Sequence, residues 1–432
     1  MIQKKIYPGE NLFTVSKKQE TNLNIFWYGF IMIIVFFGLS GSEATFITPV
    51  TCQFFQILGL LAMITGGFSL MRFKFDNKYL QTLFTINLIY SLIIVLRGSQ
   101  YDFNSLKQMF LDISSGILPY IASLVLLLNR NIGFYKKIFD ILLILGIFFL
   151  IHVIIFYKIL HDYDRLNLLS QGMAEAFSVL LSLPIGFLFL NYLYFGGKKT
   201  MYGIGAKNIF AIGVMIITLF FAIFRARRGL IFMCLSSMAC VGMIYIISTK
   251  KKMLIISMAV FLSLIGSFLV SNIKVPSMFN FLMERGEEDT RSGVEVWMYA
   301  DMSPTDWVIG KGIKGKYYCP IVENINDIEG GGFRDNIETG YLQIILKGGV
   351  ISLGLLLLIF LPAVYKGFFK SNNVLSKAAA MWIFLWIVYL YPSGGILFTM
   401  NYLLVWISVG ICYSDKIRNL SDDTIKKYLQ FK

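Results

Sequence analysis

ERGEEDTRSGVEVW, residues 284–297, lies in the long polar segment that decides the fold of this chain. The segment runs from Ser271 to about Thr339, and an apolar run long enough to cross a bilayer flanks it on each side. Its charged and aromatic side chains include Arg285, Arg291, Arg334, Glu284, Glu287, Glu288, Asp289, Asp335, Glu338, Trp297, Trp307, Tyr317 and Tyr318. Because exposed polar backbone is not tolerated in hydrocarbon, the segment predicts one large loop on one side of a membrane.

The composition of the whole chain favours a membrane protein. Of its 432 residues, 56% are hydrophobic, 16% are aromatic and only 15% are charged, and the mean hydropathy is +0.68. Soluble domains have about 25% charged residues. The net charge of +14 is spread over short segments between apolar runs, which argues against a nucleic-acid-binding protein. We therefore predict an all-α polytopic membrane protein.

Twelve apolar runs approach the roughly 20 residues that a spanning helix needs. They are 24–41, 50–71, 79–97, 108–128, 138–157, 174–195, 209–225, 229–248, 253–271, 340–364, 376–391 and 395–412. We expect Pro119 and Pro184 to kink the fourth and sixth spans. The last two runs are alternatively a re-entrant hairpin, because the eleventh is short and ends at Tyr391-Pro392.

The distribution of lysine and arginine predicts the orientation. Basic residues recur in alternate connections, for example Lys136 and Lys137, whereas 42–49 and 392–394 contain none. This pattern predicts N-in and C-in. The predicted organisation is a cytoplasmic segment 1–23, spans one to nine in 24–271, an external (periplasmic) loop 272–339, spans ten to twelve in 340–412 and a cytoplasmic tail 413–432.

One outer turn departs from that charge rule. RARRGL, residues 225–230, places Arg225, Arg227 and Arg228 between spans seven and eight. One interpretation is that these side chains reach outward to lipid phosphates. The other is that they bind an anionic ligand, since three arginines together are costly near hydrocarbon without a partner. Arg225 and Arg228 are three residues apart and are predicted to share a helix face.

The large loop has a predicted internal order. Residues 291–297 favour a short amphipathic helix, and Ser303-Pro304-Thr305-Asp306 is a helix-start signal. Gly310-Lys311-Gly312 and residues 330–332 mark turns. Asp335 and Glu338 match a capping box at the start of the tenth span. The same two carboxylates are also our candidates for a catalytic base.

Several enzyme classes lack their signatures here. The chain has no Walker loop, no dinucleotide fingerprint, no HExxH and no DxD-type pair in the outer loop. His152 and His161 are too few for a zinc site. We therefore expect no metal and no cofactor. Arginines that hold a diphosphate, aromatic faces that stack on sugars and a carboxylate base together favour a lipid diphosphate-linked glycan as substrate.

The order of four motifs resembles a known family. RARRGL at a span end, RSGVEVW and WVIGKG in a large outer loop, and DNIETGYLQIILKGGVISL entering a span (residues 335–353) resemble the O-antigen polymerase (Wzy) and O-antigen ligase superfamily. The resemblance covers roughly 205–365. It implies a bacterial inner-membrane glycosyltransferase of the GT-C type that acts without metal on undecaprenyl-diphosphate-linked glycans, in lipopolysaccharide, capsule or exopolysaccharide biosynthesis.

The resemblance implies roles for individual residues. Arg225, Arg227, Arg228 and Arg291 would contact the pyrophosphate. Trp297, Tyr341 and Arg334 are the candidate glycan contacts. Besides the lipid-linked oligosaccharide and the bilayer, a chain-length regulator (Wzz-like) is a candidate partner.

Three functions remain open at this point. The ligase branch has a histidine–asparagine pair before the span that follows the loop, whereas this chain has Asp335-Asn336 and no histidine in the loop. That difference favours a polymerase over a ligase. A lipid-linked oligosaccharide flippase also has about twelve spans, but such transporters usually have short loops and internal repeats.

Overall fold

The computed structural model describes residues 16–41, 47–73, 75–99, 102–128, 131–161, 169–182, 186, 206–225, 227–248, 291–320, 332–392 and 396–429. Helices dominate this part of the chain. In order, they are α1 (Lys17–Gly41), α2 (Pro49–Leu70), α3 (Lys78–Gly98), α4 (Phe103–Leu111), α5 (Leu118–Ile121), α6 (Ile132–Ile155), α7 (Tyr157–His161), α8 (Leu169–Ser182), α9 (Ala206–Phe224), α10 (Arg228–Ser248), α11 (Ser292–Asp301), α12 (Pro304–Ile309), α13 (Gly340–Phe369), α14 (Val374–Tyr389), α15 (Met400–Tyr413), α16 (Asp415–Arg418) and α17 (Asp422–Leu429). Two short strands, β1 (Tyr317–Tyr318) and β2 (Phe333–Arg334), form an antiparallel pair between α12 and α13.

The architecture is that of an all-α membrane protein. Within the described ranges, α1, α2, α3, α6, α9 and α13 are the helices long and apolar enough to cross a bilayer. Large apolar side chains cover their outer faces, with Phe68 of α2 79% exposed and Leu96 of α3 64% exposed. Apolar faces of this extent are suited to lipid contact rather than to water.

Several predicted spans correspond to shorter helices or lie outside the described residues. Runs 229–248, 376–391 and 395–412 correspond to α10, α14 and α15, whose apolar stretches are shorter. Run 253–271 lies outside the described residues, as do Pro184 and most of the second half of run 174–195.

The predicted fourth span, 108–128, is not one continuous helix. Helix α4 ends at Leu111, and a turn, α5 and a 3-10 helix (Ala122–Leu127) follow. The Asp112 carboxylate accepts hydrogen bonds from the Ser114 and Ser115 backbone and side chains, which stabilises the turn instead of further helix. Pro119 does not kink a helix as predicted, because it lies in the first turn of α5, where its missing N–H has no helical partner to lose.

The aromatic side chains of α13, α14 and α15 build much of the interior. Trp382 and Trp406 are fully buried or nearly so, and the Phe360 ring packs edge-on against the Trp406 ring with centroids 5.2 Å apart. Among the first helices of the chain, α1 packs closely along α2. An ideal Cβ at Gly29 would lie 2.5 Å from the Gly59 carbonyl oxygen, so only small residues permit this approach.

The described part of the predicted loop 272–339 forms a small cap on α13. A second apolar cluster joins α11, the β-hairpin and the first turns of α13, and its buried members are Val294, Met298, Met302, Tyr317, Cys319, Ile337, Leu342, Ile345 and Leu346. The predicted helix-start signal at Ser303 is confirmed, since Ser303 and Asp306 form a reciprocal capping box on α12. The cap therefore has a core of its own, which packs it against the frame, the set of apolar helices outside the cap.

Candidate functional site

The arginine turn is organised around a carboxylate on another helix. Arg225 donates from Nε and Nη2 to Glu175 Oε2 at 2.9 and 2.6 Å, and Arg227 Nε donates to Glu175 Oε1. The Arg225 and Glu175 side chains are each 6% exposed, whereas the Arg227 side chain is 46% exposed. Glu175 of α8 thus holds the connection between α9 and α10.

The prediction that Arg225 and Arg228 share a helix face is wrong. Helix α9 ends at Phe224, and the Arg227 N–H donates to the Ala222 carbonyl at 2.8 Å, which closes the turn. Arg228 begins α10 and is exposed. Sequence reasoning missed Glu175, although a lone carboxylate in the apolar run 174–195 should have signalled a buried cationic partner.

A second arginine connects the segment before α11 to the turn after α14. Arg291 donates from Nη1 to the Tyr391 carbonyl at 3.0 Å and from Nη2 to the Pro392 carbonyl at 2.9 Å. The same Pro392 oxygen would lie 3.0 Å from a Cβ on Gly229, the residue after Arg228. The Tyr389–Pro392 turn therefore brings Arg291 and the start of α10 to one place, although more than 60 residues separate them in sequence.

Glu338 lies beside Arg291. Its Oε2 is 3.6 Å from Arg291 Nε, and the Glu338 side chain is 58% exposed. The predicted capping box of Asp335 and Glu338 is wrong: the N-cap of α13 is Thr339, and Thr339 makes no side-chain cap. Its hydroxyl donates instead to Glu295 of α11, and the Gly340 N–H donates to the Leu390 carbonyl at 2.7 Å. Glu338 is thus not required to cap the helix.

Asp335 is exposed, and among the described residues its hydrogen bonds are to its backbone rather than to its carboxylate. Its backbone carbonyl accepts a hydrogen bond from the Gln343 side chain at 3.3 Å, and the same side chain accepts from the Ile337 N–H at 2.9 Å. Gln343 therefore fixes the backbone of the Asp335–Glu338 segment. The structure does not place the Asp335 carboxylate in an ion pair with any described residue.

Glu295 of α11 lies next to two tyrosines, one of which stacks on a tryptophan. The Tyr299 ring stacks on Trp307 with centroids 5.7 Å apart, and its hydroxyl contacts Glu295 and Tyr341. Burial, followed by the Glu295 charge, raises the pKa of Tyr299. Of the predicted glycan contacts, Tyr341 belongs to this group. Trp297 instead packs edge-on against Tyr318, and Arg334 pairs with Tyr317 in the hairpin.

The WVIGKG motif, residues 307–312, packs directly on residues 346–349 of the motif that enters α13. Lys311 and Gly312 donate backbone N–H groups to the Leu346 and Lys347 carbonyls at 2.8 and 2.9 Å. The α13 helix is interrupted at Gly349, where φ is 68°, and a Cβ there would lie 2.0 Å from the Val308 carbonyl. Positive φ at Gly310 matches the predicted turn. This contact positions α12 against residues 346–349 of α13.

Arg97 at the end of α3 reinforces that contact. It donates from Nη1 to Ile309 O and from Nη2 to Gly310 O, both at 2.8 Å. Tyr90 donates to the Gly348 carbonyl at 2.8 Å from the same helix. The segment formed by α12 and Gly310 is therefore bound to both α3 and α13.

Among the described residues, no three His, Cys, Asp or Glu side chains are grouped so that they could hold a metal ion. Comparisons of the chain with models of protein families, with curated proteins and with solved structures find no match.

Proposed function

We propose that the chain is a polysaccharide repeat-unit polymerase of the bacterial inner membrane, with its N- and C-termini in the cytoplasm, about twelve spans and the cap outside. The observation that carries the proposal is the convergence of Arg291, Glu338 and the start of α10 on the Tyr389–Pro392 turn. A guanidinium beside an exposed carboxylate, at the edge of an apolar frame, combines an anion-binding group with a base.

In the proposed reaction, a glycan chain on undecaprenyl diphosphate is the donor. A hydroxyl at the non-reducing end of a lipid-linked repeat unit attacks the anomeric carbon of the donor. The new C–O bond forms as the bond to the diphosphate oxygen breaks, and the lipid diphosphate leaves with the electron pair. Glu338 accepts the hydroxyl proton, and the charge on the leaving diphosphate is stabilised by Arg291 and Arg228.

The four arginines of the candidate site have different roles in this proposal. Arg225 is buried and engaged with Glu175 through two nitrogens, so it supports the turn rather than reaching a lipid. The Arg227 side chain is 46% exposed, Arg228 is exposed and the Arg291 side chain is 29% exposed, so Arg227 and Arg228 are the more accessible of the group. Tyr341, Tyr299 and Trp307 offer the aromatic surface for a sugar ring.

Polymer formation from purified lipid-linked repeat units by the reconstituted protein tests the proposal. Arg291→Lys keeps the charge but loses the planar fork, so we expect most polymer to be lost. Glu338→Gln should slow polymerisation by about 10²–10⁴-fold because an amide cannot take the proton. Asp335→Asn is the matched control, with one amide in place of one exposed carboxylate, and should leave the rate nearly unchanged.

Normal polymerisation by both Arg291→Lys and Glu338→Gln, at normal abundance, would contradict the proposed site. In cells that lack the protein, we expect single repeat units on lipid at the outer face. Units retained inside would instead indicate a lost transporter, and finished polymer that stays on lipid would indicate a lost ligase.

A further inference from the structure

A buried lysine lies on α13 away from the Arg291–Glu338 pair. Lys347 is 5% exposed, and its Nζ donates to the Gly315 carbonyl at 2.8 Å. Within the described residues, no carboxylate lies within ion-pair distance of this ammonium group. Lysine is almost never fully buried without a partner, because desolvation of its charge is costly.

Lys347 lines a cavity between four parts of the chain. The cavity has a volume of about 30 Å³ and is bounded by the Ser114–Tyr120 turn, Ile313 of the loop, α13 and Ile396. A water molecule needs roughly 10–15 Å³ of such space, so the cavity has room for a single small polyatomic group or a large monatomic ion. Its remaining walls are largely apolar.

The hydrogen-bonding groups around the cavity favour a negative ligand. An ammonium group has three N–H donors, and the Gly315 carbonyl accepts from one of them. The hydroxyls of Tyr120 and Ser352 also line the cavity and have no hydrogen-bond partner among the described residues. The Ser114 and Ser115 hydroxyls differ, since both donate to Asp112. The Lys347, Tyr120 and Ser352 side chains thus retain donors, and none of the lining residues is acidic.

Gln343 connects the cavity to the candidate site. Its side chain lines the cavity and also holds the backbone at Asp335 and Ile337. A ligand in the cavity would therefore lie beside Gln343, and Gln343 in turn holds the backbone of the segment that carries Glu338.

We propose that this cavity is a binding site for one small monovalent anion, held by the Lys347 ammonium and the Tyr120 and Ser352 hydroxyls. A free halide and the carboxylate of an acidic sugar both have this chemistry. The site is independent of the proposed transferase reaction, and its test does not measure polymer.

Thermal unfolding of the purified full chain in detergent tests the site. Sodium methanesulfonate is replaced stepwise by sodium chloride, sodium acetate or sodium glucuronate at constant sodium concentration. A ligand that binds the folded state raises the midpoint saturably. We expect a saturable rise with chloride, with the carboxylates, or with both. Chloride alone identifies a halide site, and the carboxylates alone identify a sugar-acid site.

Three variants decide whether Lys347 is responsible. Lys347→Met should raise the half-saturating concentration by about tenfold or more. Tyr120→Phe keeps both the shape and Lys347, and should raise it by about two- to tenfold even if Lys347→Met does not fold. Lys370→Met, at an exposed position at the end of the same helix, is the control for lost net charge and should respond as the wild type does.

The proposal is overturned if the wild-type midpoint shows no saturable rise with any of the three anions. It is also overturned if the Tyr120→Phe protein and any folded Lys347→Met protein respond as the wild type does, since the anion would then bind elsewhere. In either case, the cavity holds water only.

Discussion

Removing the carboxylate of Glu175 should destabilise the frame more than any exposed charge change. The Arg225 and Glu175 side chains are each 6% exposed, and two nitrogen–oxygen contacts of 2.6 and 2.9 Å join them. Breaking a buried pair from one side costs about 3–5 kcal/mol, because the other charge stays buried. The Arg227 contact adds less than about 1 kcal/mol, since that side chain is 46% exposed.

The sharpest form of this test is a double-mutant cycle. Glu175→Met and Arg225→Met should each lower the free energy of unfolding by about 3–5 kcal/mol. The double variant removes both charges and keeps the volume, so it should cost less than either single change. The remaining folded monomer is measured by size-exclusion chromatography after heating in detergent, together with the abundance in membranes.

An exposed ion pair serves as the matched control. Lys207 and Asp140 lie 3.5 Å apart with side chains 39% and 36% exposed, so Asp140→Asn should cost less than about 1 kcal/mol. If the double variant is destabilised by the sum of its two single changes, the buried pair does not couple α8 to the arginine turn and the reasoning fails.

Three further predictions follow from the cap and its contact with α13. Gly349→Ala should lower the free energy of unfolding by at least about 2 kcal/mol, because alanine disfavours φ of 68° and its Cβ would collide with the Val308 carbonyl. Gly354→Ala is the control, since no atom lies within 4 Å of the new Cβ, and it should be neutral or stabilising in the same thermal assay. Thr305→Cys should react with an impermeant maleimide in intact spheroplasts, whereas Lys370→Cys should react only after lysis. The background labelling should be low because all five native cysteines are buried. The reverse pattern would invert the proposed topology. Burial raises the pKa of Tyr317 to about 12, so its contribution to the free energy of unfolding is complete below pH of about 10 and is lost as pH rises through about 12. Tyr317→Phe should remove that alkaline loss of stability. If the variant loses stability between pH of about 10 and about 12 as the wild type does, the prediction is contradicted.

Much of the fold is encoded in local patterns. The apolar runs predicted α1, α2, α3, α6, α9 and α13 because burial in lipid requires about 20 apolar residues, whatever their neighbours are. The capping box at Ser303 and the turn at Gly310 were likewise predictable, since the groups involved lie within four residues of each other. Composition alone was enough for the all-α membrane class.

Tertiary structure decided the contacts between distant residues. Glu175 meets Arg225 from 50 residues away and Arg291 meets Pro392 from 101 residues away, and no local pattern specifies such pairs. It also decided where local signals failed. The Asp335–Glu338 signal did not become a cap because Thr339 bonds to Glu295 and the Leu390 carbonyl takes the Gly340 N–H. The run 108–128 was broken by the hydrogen bonds of Asp112. A backbone or side-chain donor takes the best acceptor that packing brings near, and that choice is made only when the helices assemble.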